Sequence, residues 1–116
     1  MEASCSNTYG PTYVNTPNYP NNYGHMKDCT WKISADGDGK VKLYSFSFNI
    51  ENHKDCEYDY LTIYDGNSSS GPLIAKLCGS KRQESIFSSG NSIYLHFHSD
   101  SYEHSTGFKI NYIIAD

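Results

Sequence analysis

The 116-residue chain has no cluster of lysine or arginine: 9 basic residues stand against 13 acidic ones, for a net charge of -4. Without a basic stripe, a nucleic-acid groove or an anionic membrane surface is excluded as a partner, and a cationic partner is favoured. No long apolar run is present either. The longest one near the C-terminus, "YIIA" at 112–115, is far too short to cross a bilayer. The N-terminal residues contain nothing like the hydrophobic region of a secretory leader, so the expectation is that a leader has been removed or that Met1 is an added start. CxxC spacing is absent as well. Cys5, Cys29, Cys56 and Cys78 stand too far apart for a zinc knuckle or a thioredoxin-like motif. An even count at wide spacing in a small polar chain predicts two disulfides and an oxidising compartment, with three connectivities open. Finally, no nucleophile elbow, HExxH or glycine-rich phosphate loop frames the serines, histidines and aspartates, so no enzyme is expected. A pair of glycosidase carboxylates would need a cleft that a small sandwich does not provide.

Aromatic residues and alternating runs are plentiful. The chain holds 11 Tyr, 5 Phe and 1 Trp, large apolar surfaces that should dominate the packing. "YLTIYD" at 60–65, "SIYLHFH" at 92–98 and "GFKINYII" at 107–114 alternate with period two. Each reads as a half-buried strand, with Leu61 and Ile63, then Ile93, Leu95 and Phe97, then Phe108, Ile110, Tyr112 and Ile114 on the inner faces. In "KVKLYSFSFNI" at 40–50 the apolar phase shifts from Val41 and Leu43 to Phe46, Phe48 and Ile50, and a β-bulge near Tyr44 and Ser45 reconciles the two halves. Turn clusters rich in Pro, Gly, Asn and Ser separate these runs. Many short strands at close intervals predict an antiparallel β-sandwich, with residues 1–116 as one domain.

Six stretches in order resemble a CUB domain: "NTPNYPNNY" at 15–23, "CTWKI" at 29–33, "CEYDYLTIYDG" at 56–66, "LCG" at 77–79, "LHFHSD" at 95–100 and "GFKINY" at 107–112. The resemblance implies a secreted or extracellular, jelly-roll-like all-β sandwich, with disulfides pairing Cys5 with Cys29 and Cys56 with Cys78. Each pairing closes a loop of just over twenty residues, which stabilises by roughly 3 kcal/mol in the chain-entropy model.

Part of that family binds calcium through three acids, and the resemblance places them at Glu51, Asp59 and Asp100, with Tyr23 hydrogen-bonding an acidic ligand and backbone around Ser101 and Tyr102 completing the shell. The chemistry agrees, since Ca²⁺ takes about six to eight oxygen ligands at flexible geometry. Three carboxylates plus the ion leave one net negative charge, an attractive seat for a partner's Lys or Arg. The implied function is therefore non-enzymatic: a calcium-dependent module that binds an extracellular protein through a basic side chain. Glu51, Asp59, Asp100 and Tyr102 form the contact, and His98 and His104 neighbour Asp100. The alternative is a calcium-dependent lectin of spermadhesin type, with Tyr102 flanking a sugar on the ion.

Other residues have plainer readings. Trp31, beside a cysteine, reads as core, while Tyr60 and Tyr64 share the strand face opposite Leu61 and Ile63. His96 and His98 lie at i, i+2, a spacing that suits a transition metal, with His104 a short loop away. Alternation with Leu95 and Phe97 turns the first two outward, where a histidine ordinarily does nothing specific. Asn67 opens an "NSS" sequon in a Gly/Ser-rich turn, a possible N-glycosylation site in a secreted protein.

Overall fold

A computed structural model describes residues 1–50, 55–80, 83–100 and 105–115. Among these residues the regular structure is all strand: β1 (Glu2–Ala3), β2 (Tyr9–Gly10), β3 (Tyr13–Asn15), β4 (Asp28–Ser34), β5 (Lys40–Asn49), β6 (Tyr60–Asp65), β7 (Leu73–Leu77), β8 (Ile86–Phe87), β9 (Ser92–His98) and β10 (Gly107–Ala115). They form two five-stranded sheets, ordered β1-β4-β9-β6-β7 and β2-β3-β10-β5-β8, and every pairing is antiparallel. The expected antiparallel sandwich is what forms. Among the described residues no helix is long and apolar enough to cross a membrane.

Period-two alternation explains the layers. β4 turns Cys29, Trp31 and Ile33 inward, β9 turns Ile93, Leu95 and Phe97 inward, and β6 adds Leu61 and Ile63; from the other sheet Val14, Val41, Leu43, Phe108 and Ile110 close the core. Each such burial contributes about 1.5–3 kcal/mol before entropy is set against it. Trp31, expected in the core, is fully buried, and its indole N–H donates to the Thr8 carbonyl at 3.1 Å and lies 3.2 Å from Thr8 Oγ1. Phe108 sits between Trp31 and Phe97, edge-on to both at 5.6 and 5.7 Å, and stacks on Phe48 at 5.8 Å.

The inner face of β10 is shorter than its alternation suggests. Tyr112 is only partly buried and Ile114 is 45 % exposed. A Cβ on Gly39 would come within 3.0 Å of Ile114 Cγ2, so this side chain covers the turn before β5 instead of filling the core.

The phase shift in β5 has the expected cause. Ser47 pairs with Lys109 and Tyr44 with Asn111, so Ser45 and Phe46 together face Ile110, with Ser45 at φ 51°. That extra residue lets Val41 and Leu43 before it, and Phe46, Phe48 and Ile50 after it, all pack on the core. The disulfides also pair as the resemblance implied. Cys5–Cys29 ties the N-terminal segment to β4, and Cys56–Cys78 ties the loop before β6 to the end of β7.

Candidate metal centre

Asp59 stands immediately before β6, and Asp100 follows the end of β9, which pairs with β6 in the sheet. Strand pairing therefore brings the two acids to one end of the sandwich across 41 residues of chain. The Asp100 backbone N–H donates to Asp59 Oδ1 at 2.8 Å, and the Tyr23 hydroxyl donates to Asp59 Oδ2. Tyr23 is itself fully buried, its ring edge-on to Phe97 at 4.9 Å, so core packing aims its hydroxyl.

The segment carrying Tyr23 is stitched to the end of β9. Ser99, buried, donates from Oγ to the Gly24 carbonyl at 3.0 Å and accepts the Lys27 N–H at 2.9 Å. Its own N–H donates to the Lys27 carbonyl at 2.8 Å, and the Met26 N–H donates to the Asp100 carbonyl at 2.9 Å. Gly24 takes φ +92° in this turn, where a side chain would be strained. Ser99 is thus a structural residue that sequence reading passed over.

Asp59 is fully buried. Burial pushes its carboxyl above the usual carboxylate range; the hydrogen bonds from Tyr23 and the Asp100 N–H pull the other way, and the neighbouring Asp100 charge adds to the rise. A buried acid held ready by two donors, next to a second acid, is costly unless a cation arrives. Each Asp59 oxygen spends one acceptor site on these donors and has capacity for another partner. This oxygen-only chemistry suits a hard cation such as Ca²⁺ and does not suit a thiophilic one. Asp59 and Asp100 fit such an ion; Glu51 and Ser101, named beside them from the sequence, lie outside the described residues, as do Tyr102 and His104. Among the described residues no three His, Cys, Asp or Glu side chains are grouped as a metal site.

His96 and His98 do face outward, but they are engaged. His96 Nε2 lies 2.9 Å and His98 Nδ1 3.0 Å from the same atom, Asp28 Oδ1. The His98 ring stacks on Tyr60 at 5.1 Å, and Lys76 Nζ lies 4.5 Å from the centroid of that same Tyr60 ring. Partial burial raises the Asp28 carboxyl, yet the hydrogen bonds from His98 and His96 and their positive charge outweigh it and hold the group below its ordinary value. Sequence reading missed Asp28, although its parity in β4, opposite to Cys29 and Trp31, already turned it outward beside β9. Tyr64, the other tyrosine on this face, lies 6.2 Å from Tyr94. Asn67 is exposed in the turn between β6 and β7.

Comparison with known proteins agrees with this architecture. The family model described as CUB domain matches residues 5–112. Tolloid-like protein 2 of Mus musculus is 39 % identical over 94 residues, 81 % of this chain and 9 % of that protein. Cubilin of Canis lupus familiaris is 43 % identical over 104 residues, 89 % of this chain and 3 % of that protein. The chain thus spans less than a tenth of each relative. Among solved structures, the MASP-1 CUB2 domain bound to Ca²⁺ is similar with a TM-score of 0.75 and 30 % identity, covering 87 % of this chain and 89 % of that one. Family model, relatives and sandwich agree: this chain belongs to the CUB domain family.

Proposed function

We propose that this domain is a non-enzymatic, extracellular binding module whose acidic end holds Ca²⁺ and receives a lysine or arginine of a protein partner. The observation that carries the reading is the fully buried Asp59 carboxylate, oriented by Tyr23 and the Asp100 N–H beside a second acid. Glu51, Asp59 and Asp100, with backbone at Ser101, would hold the ion, and calcium bound there would supply two positive charges against three negative ones. The carboxylates then keep one net negative charge on oriented oxygens, and a basic side chain gains charge-assisted hydrogen bonds from them. Tyr23 and the Ser99 network hold Asp59 in place before any partner arrives. The MASP-1 CUB2 domain, similar in fold, was crystallised with Ca²⁺, which supports the assignment. Disulfides at both ends of the first sheet suit an extracellular setting.

The test begins with metal alone. Calcium at a hundredfold excess over its dissociation constant should stabilise the native state by about 2.7 kcal/mol, and chelator should reverse the rise in melting temperature. Tyr23→Phe should weaken calcium binding while the fold survives, because only the hydroxyl is lost; the buried acceptor left with one donor fewer costs about 1–3 kcal/mol. Glu51→Ala should abolish the calcium shift. Flat calorimetry and unmoved melting curves in millimolar calcium would remove the metal from the mechanism. Partner capture should then require calcium, weaken in high salt and disappear when the partner's lysines are acetylated; capture that persists in chelator counts against the proposal.

A further inference from the structure

The second sheet carries a pocket with no Asp or Glu among its described lining residues. It is a cavity of about 500 Å³, lined by Asn7, Tyr9, Tyr13, Asn15, Tyr19 and Lys109 among others, inside the range of about 300–1,000 Å³ usual for small-ligand sites. Its construction follows from register. Lys109 on β10 pairs with Asn15 on β3, and Asn111 pairs with Tyr13; the residues between them, Val14 and Ile110, are buried, so Tyr13, Asn15 and Lys109 all stand on the outer face.

The cation is fixed by what lies beneath it. A Cβ on Gly10 would come within 2.3 Å of the Tyr13 ring, so only glycine there lets the ring lie down on the backbone of β2. Lys109 Nζ then sits 4.4 Å from the centroid of that ring, held by cation–π attraction. Among the described residues no carboxylate pairs with Lys109: the Lys–carboxylate bridge formed is Lys32 with Glu2. In a chain of net charge -4, this ammonium is held in place by an aromatic ring and, among the described residues, is not neutralised, in a pocket whose described lining contains no Asp or Glu.

The rest of the lining narrows the ligand. Phenols and carboxamides surround the cation, Pro20 is the one aliphatic residue among the described lining, and Tyr9 is 51 % exposed. An apolar ligand finds little to bury here. A polyhydroxylated ring offers alternating donors and acceptors to the tyrosine hydroxyls and asparagine amides, lays its C–H face on a tyrosine ring, and places one carboxylate or sulfate on Lys109. We propose that this pocket binds an acidic saccharide, carboxylated or sulfated, without calcium.

The experiment uses the intact domain, isotope-labelled, in chelator, so that its outcome is independent of the metal reading. Sialyllactose and a heparin-derived tetrasaccharide are titrated separately, with lactose as the uncharged control. Saturable shifts at Asn7, Tyr9, Asn15, Tyr19 and Lys109 in the millimolar range are expected for at least one acidic probe, and which one responds tells carboxylate from sulfate. Lys109→Gln should weaken that binding about tenfold, since a charge-assisted hydrogen bond of about 1.4 kcal/mol is lost. Tyr9→Ser, at an exposed position, should weaken it too, whereas Lys76→Gln on the other sheet should leave it unchanged. No saturable shift with either acidic probe, shifts that map elsewhere, or equal binding by the Lys109→Gln variant overturns the proposal.

Discussion

Asp28, an exposed acid, carries two imidazoles on a single carboxylate oxygen. Its folded value lies below the ordinary 3.8, so the unfolded chain takes up a proton there first as acid is added. The stability it contributes is therefore fully present above pH 3.8 and is lost as pH falls through the depressed folded value. Because the Asp28 side chain is 59 % exposed, solvent screening keeps the contribution below about 1 kcal/mol. Asp28→Asn should leave a molecule slightly less stable at neutral pH, with a shallower loss in acid, as read from urea midpoints across pH. Parallel acid limbs for the two proteins would mean that the histidines contribute nothing through Asp28.

At the scale of the element, β5 shows how one residue decides a face. Deleting Ser45 removes the bulge, and the strand must then send either Val41 and Leu43 or Phe46 and Phe48 to solvent. The deletion should cost about 4 kcal/mol or more and abolish the near-ultraviolet dichroism of the packed aromatics. Ser45→Gly is the contrasting variant. Glycine relieves the left-handed backbone at φ 51° but frees the unfolded chain, so the net change should stay within about 1 kcal/mol. If the deletion variant unfolds at the same denaturant concentration as the parent, the bulge does not set the register.

For the whole molecule, the two disulfides join residues 24 and 22 apart, so the chain-entropy model assigns each about 3 kcal/mol. Replacing either pair by serine should lower the melting temperature by a similar amount. Their effects on metal should differ, because Cys56 lies three residues before Asp59 whereas Cys5–Cys29 anchors β4. Loss of Cys56–Cys78 should reduce calcium affinity beyond its effect on stability, and calorimetry on both serine variants below their melting points measures this. Equal calcium affinities would show that the Tyr23 and Ser99 network alone holds Asp59.

Sequence by itself determined whatever depends on neighbours in the chain. Period-two alternation is a local property, so it set β5, β6, β9 and β10, the inward Phe97, the outward His96 and His98, and the break in phase near Ser45, while Trp31 was read as core from its place beside Cys29 and the other six strands were not read. The paired spacing of four cysteines implied two disulfides, but their connectivity came from the resemblance to CUB domains, since spacing alone allows three. The same resemblance pointed to Tyr23, Asp59 and Asp100; alternation says nothing about residues in loops. Contacts across distant chain were decided by the fold: Tyr23 reaches Asp59 over 36 residues and His96 reaches Asp28 over 68. The pocket under Lys109 likewise joins residues 7–20 to β10. Such meetings follow from strand order and register, which depend on how two sheets bury their apolar faces together, and no stretch of chain carries that information alone.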